Sequence, residues 1–362
     1  MPGAMGKLRL GVIGAGSWTV SSHLPAMEPH RDEVDFVIVN RRNPELLERI
    51  STRFGFARAS TDWRDVIAER PDIVIVASPV ALHHEQTKAA LEAGAHVLCE
   101  KPFTVDPGEA WDLVDIARRQ DRHLLLAYGW NYRPMIVQAR ELVGRDGGIG
   151  EIEEVSIHMS SHTRALLSGT GAYPDASPES VPEQETWIDA RLSGGGYGQA
   201  QFTHALGLAL WLAPTLRAKD VFAFMSAPLD APVELHDAIA MRFTNGAVGT
   251  IGGGSEHAER DNVRHKVDIR MIGSLGNFQI DLERERVWRY RGVEDNVELP
   301  LEAGAGIYDC IGPVDNLVAL ARGGGSNNSP GELGARTVEV LEAAYRSAAS
   351  GKTETVATLD RS

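Results

Sequence analysis

The sequence has few cysteines, no long apolar run and no amino-terminal leader pattern. Cys99 and Cys310 are its two cysteines. They belong to no cluster with metal-ligand spacing, which argues against a disulfide framework and favours a reducing compartment. No stretch approaches the ~20 apolar residues of a membrane helix, and Met1–Met5 lacks the basic and apolar regions of a signal peptide. We therefore expect a cytoplasmic protein with no membrane partner and no bound metal.

Basic residues are also in the minority. Lys and Arg number 36 against 50 Asp and Glu, for a net charge of -14. Such a surface repels phosphate backbones, which argues against a nucleic-acid partner. What the sequence does have is 43% hydrophobic residues over 362 positions, too long a chain for one ordinary core. Two domains are expected.

Hydrophobic patterning differs between the two parts of the chain. Up to residue 128, short apolar runs alternate with helical segments, which predicts an α/β domain with a doubly wound parallel sheet. The predicted strands there are Leu8–Ile13, Asp35–Val39, Ile73–Ala77, Val97–Cys99 and Leu124–Ala127.

Residues 129–362 predict an α+β domain with a large, open, predominantly antiparallel sheet. The predicted strands are Glu153–Met159, His236–Phe243, Ala247–Gly252, Val267–Ile272, Asn277–Leu282 and Val287–Tyr290. Helices over Phe202–Leu212, Gly312–Ala321 and Glu332–Ala349 are expected to cover one face, unless the last packs back on the first domain.

A glycine turn follows the first predicted strand. Gly14 and Gly16 occupy the first two glycine positions of G-x-G-x-x-G, and Thr19 occupies the third. The first glycine allows a tight turn, the second allows close approach of a pyrophosphate, and a helix beginning at Ser17 and Trp18 would point N–H groups at it. Such turns also occur as plain strand-to-helix connections.

The end of the second strand bears on the form of the cofactor. Asn40, Arg41 and Arg42 stand where NAD enzymes usually carry an acid for the ribose hydroxyls. A guanidinium can hold a 2′-phosphate, which an acid would repel. The pattern favours NADP over NAD. The alternative is that both arginines are surface residues and Asn40 alone binds an NAD ribose.

Several motifs coincide in order with a known family. They are Ser78-Pro79 with His83, Glu100-Lys101-Pro102, Gly129–Arg133, Gly194–Gly196 leading to His204, Arg242–Gly246 and Ala343–Ser347. In this order the sequence resembles the glucose-fructose oxidoreductase / inositol dehydrogenase / MocA (Gfo/Idh/MocA) family over nearly its whole length. The resemblance implies an N-terminal Rossmann domain that binds NAD(P), and association as a homodimer or homotetramer through the open sheet.

The resemblance also implies hydride transfer between a nicotinamide and a carbinol carbon of a sugar, polyol or related hydroxy compound. Lys101 would contact the reacting oxygen, and His204 would transfer the proton. Ser78, Pro79, His83, Glu100, Lys101 and Asn131 would lie on the cofactor side. Trp130 and Arg133 would join Lys101 and His204 around the substrate.

One departure from the family leaves alternatives open. The family's aspartate, four residues before the histidine, is Ala200 here. His204 then works with weaker support, for example from Gln201, or Lys101 carries more of the proton transfer, or another acid substitutes. The chain could instead perform a redox-neutral sugar conversion with retained cofactor, or be a cofactor-binding sensor that has lost catalysis.

Three further segments are less specific. Residues Ser168–Glu185 predict a long loop, either a lid over a site or a plain excursion. His158, His162 and Arg164 are interpreted as a solvated loop in preference to a cavity wall. His257 and His265 flank a charged hairpin and are predicted to lie on the surface.

Overall fold

The computed structural model describes residues 6–144, 147–172, 181–257 and 265–357, and the strands within these ranges form two sheets. The strands in chain order are β1 (Leu8–Ile13), β2 (Val34–Asn40), β3 (Arg58–Ser60), β4 (Ile73–Val76), β5 (His96–Cys99), β6 (Leu124–Leu126), β7 (Ile152–Ser161), β8 (Ala218–Ser226), β9 (His236–Phe243), β10 (Val248–Ser255), β11 (Lys266–Gly273), β12 (Gly276–Asp281), β13 (Arg286–Tyr290), β14 (Asn296–Glu298) and β15 (Glu354–Thr355).

The α-helices lie between these strands in the chain. They are α1 (Leu24–Met27), α2 (Pro44–Arg53), α3 (Arg64–Ala68), α4 (His83–Glu92), α5 (Pro107–Gln120), α6 (Pro134–Gly144), α7 (Arg164–Leu167), α8 (Glu185–Ile188), α9 (Ala190–Ser193), α10 (Thr203–Leu212), α11 (Ile311–Ala321) and α12 (Gly331–Ser350). Within the described ranges, no helix combines the length and the apolarity needed to cross a bilayer.

The first sheet has six parallel strands in the order β3-β2-β1-β4-β5-β6. The central strand β4 is apolar and buried along its whole length, and β1 is buried from Leu10 to Ile13, because helices cover both faces of the sheet. The strand order reverses between β1 and β4, and ligands of doubly wound folds bind at the carboxyl ends of the strands flanking that point. The predicted doubly wound sheet is confirmed, and the short edge strand β3 is added to it.

The second sheet has nine strands in the order β14-β13-β12-β11-β7-β10-β9-β8-β15. The β7–β10 pair is parallel and the other neighbours are antiparallel. Buried and exposed residues alternate along β9 and β10, so one face packs inward and the other is open. The predicted antiparallel sheet is confirmed, with β8, β14 and β15 as strands that the sequence patterns did not predict.

The expectation that three helices cover the second sheet holds only in part. The α10 helix is buried in the same core as β7, whereas Val314 and Leu317 of α11 lie in the core formed around β1 and β4. The helix α12 packs against both β8 and α5, and Trp111 Nε1 of α5 donates to Glu339 Oε1 of α12 over 2.8 Å. The apolar face of a helix does not specify which sheet it covers, so α11 was assigned to the wrong one. The division after residue 128 stays a prediction.

The segment before α10 is wound more widely than an α-helix. Gly198–Phe202 forms one π-helical turn that continues directly into α10. Such turns leave main-chain groups outside the regular ladder and occur often at functional sites. Here the turn carries Ala200 to the edge of the cleft described next.

Candidate active site

The carboxyl ends of β1, β4 and β5 open into a cavity of about 1070 Å³ that the C-terminal part, residues 129–357, closes from the other side. This volume is at the upper end of small-ligand sites and leaves room for a dinucleotide together with a second small molecule. Most of the predicted site residues line it: Gly14, Gly16, Ser17, Trp18, Asn40, Arg41, Arg42, Ser78, Pro79, His83, Glu100, Lys101, Trp130 and His204.

Two predicted site residues do not reach the cavity. Asn131 is buried, and its Nδ2 donates to the Asn328 carbonyl over 2.9 Å. Arg133 pairs with Asp309 and donates to the Gly304 carbonyl. Asn131 is directed at the segment between α11 and α12, and Arg133 at the loop between β14 and α11. The sequence motif could not reveal either contact. In this structure neither side chain reaches the cavity, and the assignments of Asn131 to the cofactor and of Arg133 to the substrate stay predictions.

The glycine turn has the geometry that a pyrophosphate requires. Gly14 has φ +82°, and a Cβ there would lie 2.5 Å from the backbone nitrogen of Ser78, so only glycine fits. A Cβ on Gly16 would meet nothing closer than 4.0 Å, and Gly16 lines the cavity. Thr19, at the third position, donates its hydroxyl to the Gly14 carbonyl over 3.0 Å. The residues present fit a dinucleotide at this turn.

The polar side chains at the end of β2 differ in their accessibility and partners. Asn40 Nδ2 donates to the Ser60 carbonyl over 3.0 Å. Arg41 is buried and donates to the Ala15 carbonyl over 2.8 Å, and burial lowers its pKa. The Arg42 side chain is 69% exposed and pairs with Glu183 of the C-terminal part at 2.9 Å. Of the two arginines, Arg42 presents the accessible guanidinium.

Glu100 holds the local backbone. Its Oε2 accepts from the Lys101 N–H over 2.9 Å, and its Oε1 lies 2.7 Å from His23 Nε2. Burial acts to raise the pKa of Glu100, but the hydrogen bond and charge of His23 and the charge of Lys101 keep that pKa below its usual value. The carboxylate thus anchors the turn that presents Lys101.

His83 joins two of the strand ends. Its Nε2 lies 2.8 Å from the Ser78 carbonyl, and its Nδ1 lies 2.9 Å from the Pro102 carbonyl. Burial disfavours the charged ring, but interaction with Cys99 and the carbonyl acceptors raise the pKa of His83 to about 9. A doubly protonated His83 therefore ties the turn after β4 to the turn after β5 on the wall of the cavity.

The Lys101 side chain forms a hydrogen bond with a neutral main-chain group on the other side of the cleft. Its Nζ donates to the main-chain carbonyl of Ala200 over 3.0 Å. Burial lowers the pKa of Lys101, and the charge of Glu100 opposes that shift. Because the π-helical turn directs this carbonyl at the lysine, a neutral backbone oxygen holds the ammonium at the cavity wall.

His204 lies in the first turn of α10 and is surrounded by aromatic rings. Its ring centroid is 5.5 Å from that of Trp130 and 5.1 Å from that of Tyr308. Burial, followed by the charges of Lys101 and His265, holds the pKa of His204 well below its usual value, so the ring is neutral near pH 7. Its Nδ1 and Gln201 Oε1 are buried without a hydrogen-bond partner among the described residues. Gln201 therefore does not orient His204 here.

His265 is a cavity residue that the sequence placed on the surface. Its ring meets Trp130 edge-on at 5.2 Å, and burial, then the charge of Lys101, lowers its pKa to about 4. His162 also lines the cavity, while His158 and His257 are exposed. The charged residues before His265 in the sequence are typical of an exposed hairpin. The contact of His265 with the distant Trp130 depends on the tertiary structure and leaves no local sequence pattern. The prediction for His265 was wrong, and that for His162 favoured the wrong alternative.

One cluster beside the cavity has side chains of metal-binding type. Among the described residues, His23, Glu100 and Cys310 bring potential ligand atoms within 4.8 Å of one another. His23 Nε2 already contacts Glu100, so this is a hydrogen-bonded network. The expectation of no metal stays a prediction.

The predicted long loop can be followed only in part, because residues 173–180 of Ser168–Glu185 lie outside the described residues. Past that gap, Glu183 lies on the wall of the cavity, and Thr186 and Trp187 of α8 line it too. Glu183 reaches the end of β2 through its ion pair with Arg42.

The fold and the cleft together define a two-part α/β protein of the dinucleotide-binding class. Residues 8–128 match the family model described as "Oxidoreductase family, NAD-binding Rossmann fold", and residues 136–279 match "GFO/IDH/MocA C-terminal domain". The chain belongs to the Gfo/Idh/MocA family, as its sequence motifs predicted.

Curated relatives of this chain include sugar oxidoreductases. Levoglucosan dehydrogenase of Pseudarthrobacter phenanthrenivorans is 28% identical over 68% of this chain and 65% of its own length. D-glucoside 3-dehydrogenase of Escherichia coli is 34% identical over 40% of this chain and 41% of its own. The chain thus spans from two fifths to just under two thirds of these relatives.

Solved structures show the same fold over almost the whole chain. An oxidoreductase domain protein from Kribbella flavida superposes with a TM-score of 0.79 at 22% identity, over 97% of this chain and 100% of its own. Levoglucosan dehydrogenase, solved with NADH and levoglucosan, superposes with a TM-score of 0.77 at 22% identity, over 97% and 100%.

Proposed function

We propose that this protein is an NAD(P)-dependent oxidoreductase that transfers hydride between a nicotinamide and a carbinol carbon of a sugar, polyol or related hydroxy compound. The observation that carries the proposal is that Lys101 and His204 line the same cavity as the Gly14–Gly16 turn. A bound nicotinamide supplies or accepts the hydride at this site. The names of the curated relatives support the substrate class.

Lys101 and His204 have different roles in the proposed reaction: Lys101 stabilises negative charge and His204 transfers the proton. The Lys101 ammonium has three donors and uses one on Ala200, so it can also hold the alkoxide that develops at the reacting oxygen. His204 is neutral near pH 7 and can accept the hydroxyl proton. Lys101 is thus the oxyanion stabiliser, and His204 is the acid/base.

Unsatisfied polar atoms on the cavity wall support a hydroxyl-rich substrate. His162 Nε2, His204 Nδ1 and Gln201 Oε1 are buried, and none has a hydrogen-bond partner within the part of the chain that the structure describes. Leaving such atoms unpaired costs about 1–3 kcal/mol each. Substrate hydroxyls can both donate and accept, so a polyol satisfies this mixed set.

For the cofactor, we favour NADP(H) over NAD(H). The support is the exposed Arg42 guanidinium, with no acidic side chain among Asn40, Arg41 and Arg42 at the end of β2. A planar guanidinium matches a 2′-phosphate well. Because Arg41 is buried and bound to the Ala15 carbonyl, Arg42 would supply most of the contact with the 2′-phosphate.

We also propose a cytoplasmic homo-oligomer that associates through the open face of the second sheet. That face exposes large apolar side chains on several strands, namely Phe224, Val248, Ile272 and Tyr290. Exposed apolar patches on a sheet favour association. Light scattering coupled to gel filtration tests this: a dimer or tetramer supports it, and a monomer at micromolar concentration contradicts it.

An absorbance assay for reduced nicotinamide, run against a panel of sugars and polyols with NAD⁺ and NADP⁺, tests the proposed activity. Net reduction of the cofactor by one or more substrates supports it. Cofactor binding without reduction by any substrate favours the sensor alternative, for which Ala200 is the supporting observation. Substrate conversion without net change of a retained cofactor favours the redox-neutral alternative.

A further inference from the structure

We propose that Glu183, contributed by the C-terminal part, sets how strongly this protein discriminates between NAD(H) and NADP(H). Its carboxylate takes the place of the acid that β2 lacks: it accepts the ribose hydroxyls of NAD(H) and opposes the 2′-phosphate of NADP(H). This inference rests on the proposed function, since it concerns the ribose end of the same cleft.

The side chains at the end of β2 include no acid that could accept the ribose hydroxyls. Asn40 donates its amide to the Ser60 carbonyl, and Arg41 donates to the Ala15 carbonyl. Glu183 reaches across the cleft to the same place, with one carboxylate oxygen 2.9 Å from Arg42 Nη2 and the other 3.9 Å from Arg41 Nη2. Asn40, both arginines and Glu183 all line the cavity.

The Glu183 main chain is held in an ordered turn. Its carbonyl accepts from the Thr186 hydroxyl over 2.7 Å and from the Thr186 N–H over 3.0 Å, at the start of α8. Thr186 itself lines the cavity beside Glu183. The carboxylate is therefore presented to the arginines from a fixed turn of the C-terminal part.

The negative charge of Glu183 determines which of the two dinucleotides it favours. A 2′-phosphate carries close to two negative charges and must displace Glu183 from Arg42 while remaining near that carboxylate. A 2′-hydroxyl donates a hydrogen bond to the same carboxylate at no such cost. Because the Arg42 and Glu183 side chains are 69% and 48% exposed, opening their pair is cheap. The effect is thus graded: Glu183 limits the use of NADP(H) without forbidding it.

The test is the ratio of dissociation constants for NAD⁺ and NADP⁺, measured by calorimetric titration at fixed salt. In Glu183→Gln we expect tighter NADP⁺ binding and weaker NAD⁺ binding, shifting the ratio roughly fivefold or more toward NADP⁺. The matched control is Glu185→Gln, which removes the same charge two residues away from a side chain that does not line the cavity. We expect the control to keep the wild-type ratio.

Two further variants test whether the shift in the ratio depends on the Glu183 carboxylate and on its pair with Arg42. Glu183→Ala should shift the ratio in the same direction, and in an Arg42→Ala background the effect of Glu183→Gln on NADP⁺ should shrink because the pair is already broken. A ratio within twofold of wild type in both Glu183 variants overturns the inference while leaving the proposed function standing. A wild-type protein that binds neither dinucleotide overturns both.

Discussion

Lys101 Nζ and the main-chain carbonyl of Ala200 are 3.0 Å apart and form a hydrogen bond across the cleft. The acceptor is neutral, so it positions the ammonium without cancelling its charge. A carboxylate beside the ammonium would instead raise the lysine pKa. The backbone acceptor therefore leaves Lys101 its charge for the substrate oxygen, and the alanine at position 200 gives His204 no anionic partner there.

A carboxylate restored at position 200 should move the pH profile. Alcohol oxidation needs neutral His204, so the rate falls as the pH drops through the His204 pKa, which burial and Lys101 hold well below 6.5. In Ala200→Asp a negative charge one helical turn away favours the imidazolium, and we expect the acidic limb of kcat/KM to rise by about one pH unit. Ala200→Asn is the neutral control, and equal acidic limbs in the two variants would refute this electrostatic account.

A buried acid beside Gly198 should make stability depend on pH. Asp237 is 4% exposed, and burial, then the charge of Glu234, raises its pKa to about 8. Between about pH 4, where an unfolded Asp titrates, and pH 8, the folded protein holds a proton that the unfolded chain has lost. This contribution to stability is therefore complete below about pH 4 and is lost as the pH rises through 8.

Asp237→Asn removes that titration. Relative to wild type, the variant should gain about 1–3 kcal/mol in free energy of unfolding between pH 5 and pH 8. Urea unfolding at the two pH values measures the difference. Asp230→Asn, an exposed position, should show no such gain. Parallel pH dependence in wild type and Asp237→Asn would mean that Asp237 is ionised in the fold.

The contact between α5 and α12 should contribute to stability. Trp111 Nε1 donates to Glu339 Oε1 over 2.8 Å, and both residues are at most 5% exposed. Trp111→Phe keeps the aromatic packing but removes a hydrogen bond to a buried carboxyl, which should cost about 2 kcal/mol in free energy of unfolding. Glu339→Gln retains an acceptor oxygen and should cost less. A larger loss in Glu339→Gln than in Trp111→Phe would contradict this ranking.

The sequence predicted the parts of the fold and site that local patterns encode. Contiguous apolar runs mark buried parallel strands, as in β1 and β4, and period-two alternation marks the half-buried strands β9 and β11. The glycine turn and the Glu100-Lys101 pair follow directly after such strands, which places them at the carboxyl edge. This is why most of the predicted cleft residues meet in one cavity.

The sequence did not predict the features of the site that local patterns do not encode. The Ala200 carbonyl is a backbone atom, and its direction depends on a π-helical turn with no side-chain signature. His265 is half-buried against Trp130, which lies 135 positions earlier in the chain. Glu183 meets Arg42 only because the C-terminal part folds over β2. Each depends on packing between distant segments.

The most direct test of the central claim is the turnover of Lys101→Ala. With a substrate found in the sugar and polyol panel, we expect kcat to fall about 100-fold or more because the oxyanion loses its stabilising charge. Cofactor affinity, measured by titration, should change less than about threefold, since the glycine turn and Arg42 are untouched. Wild-type kcat in a Lys101→Ala protein that binds cofactor normally would contradict the account.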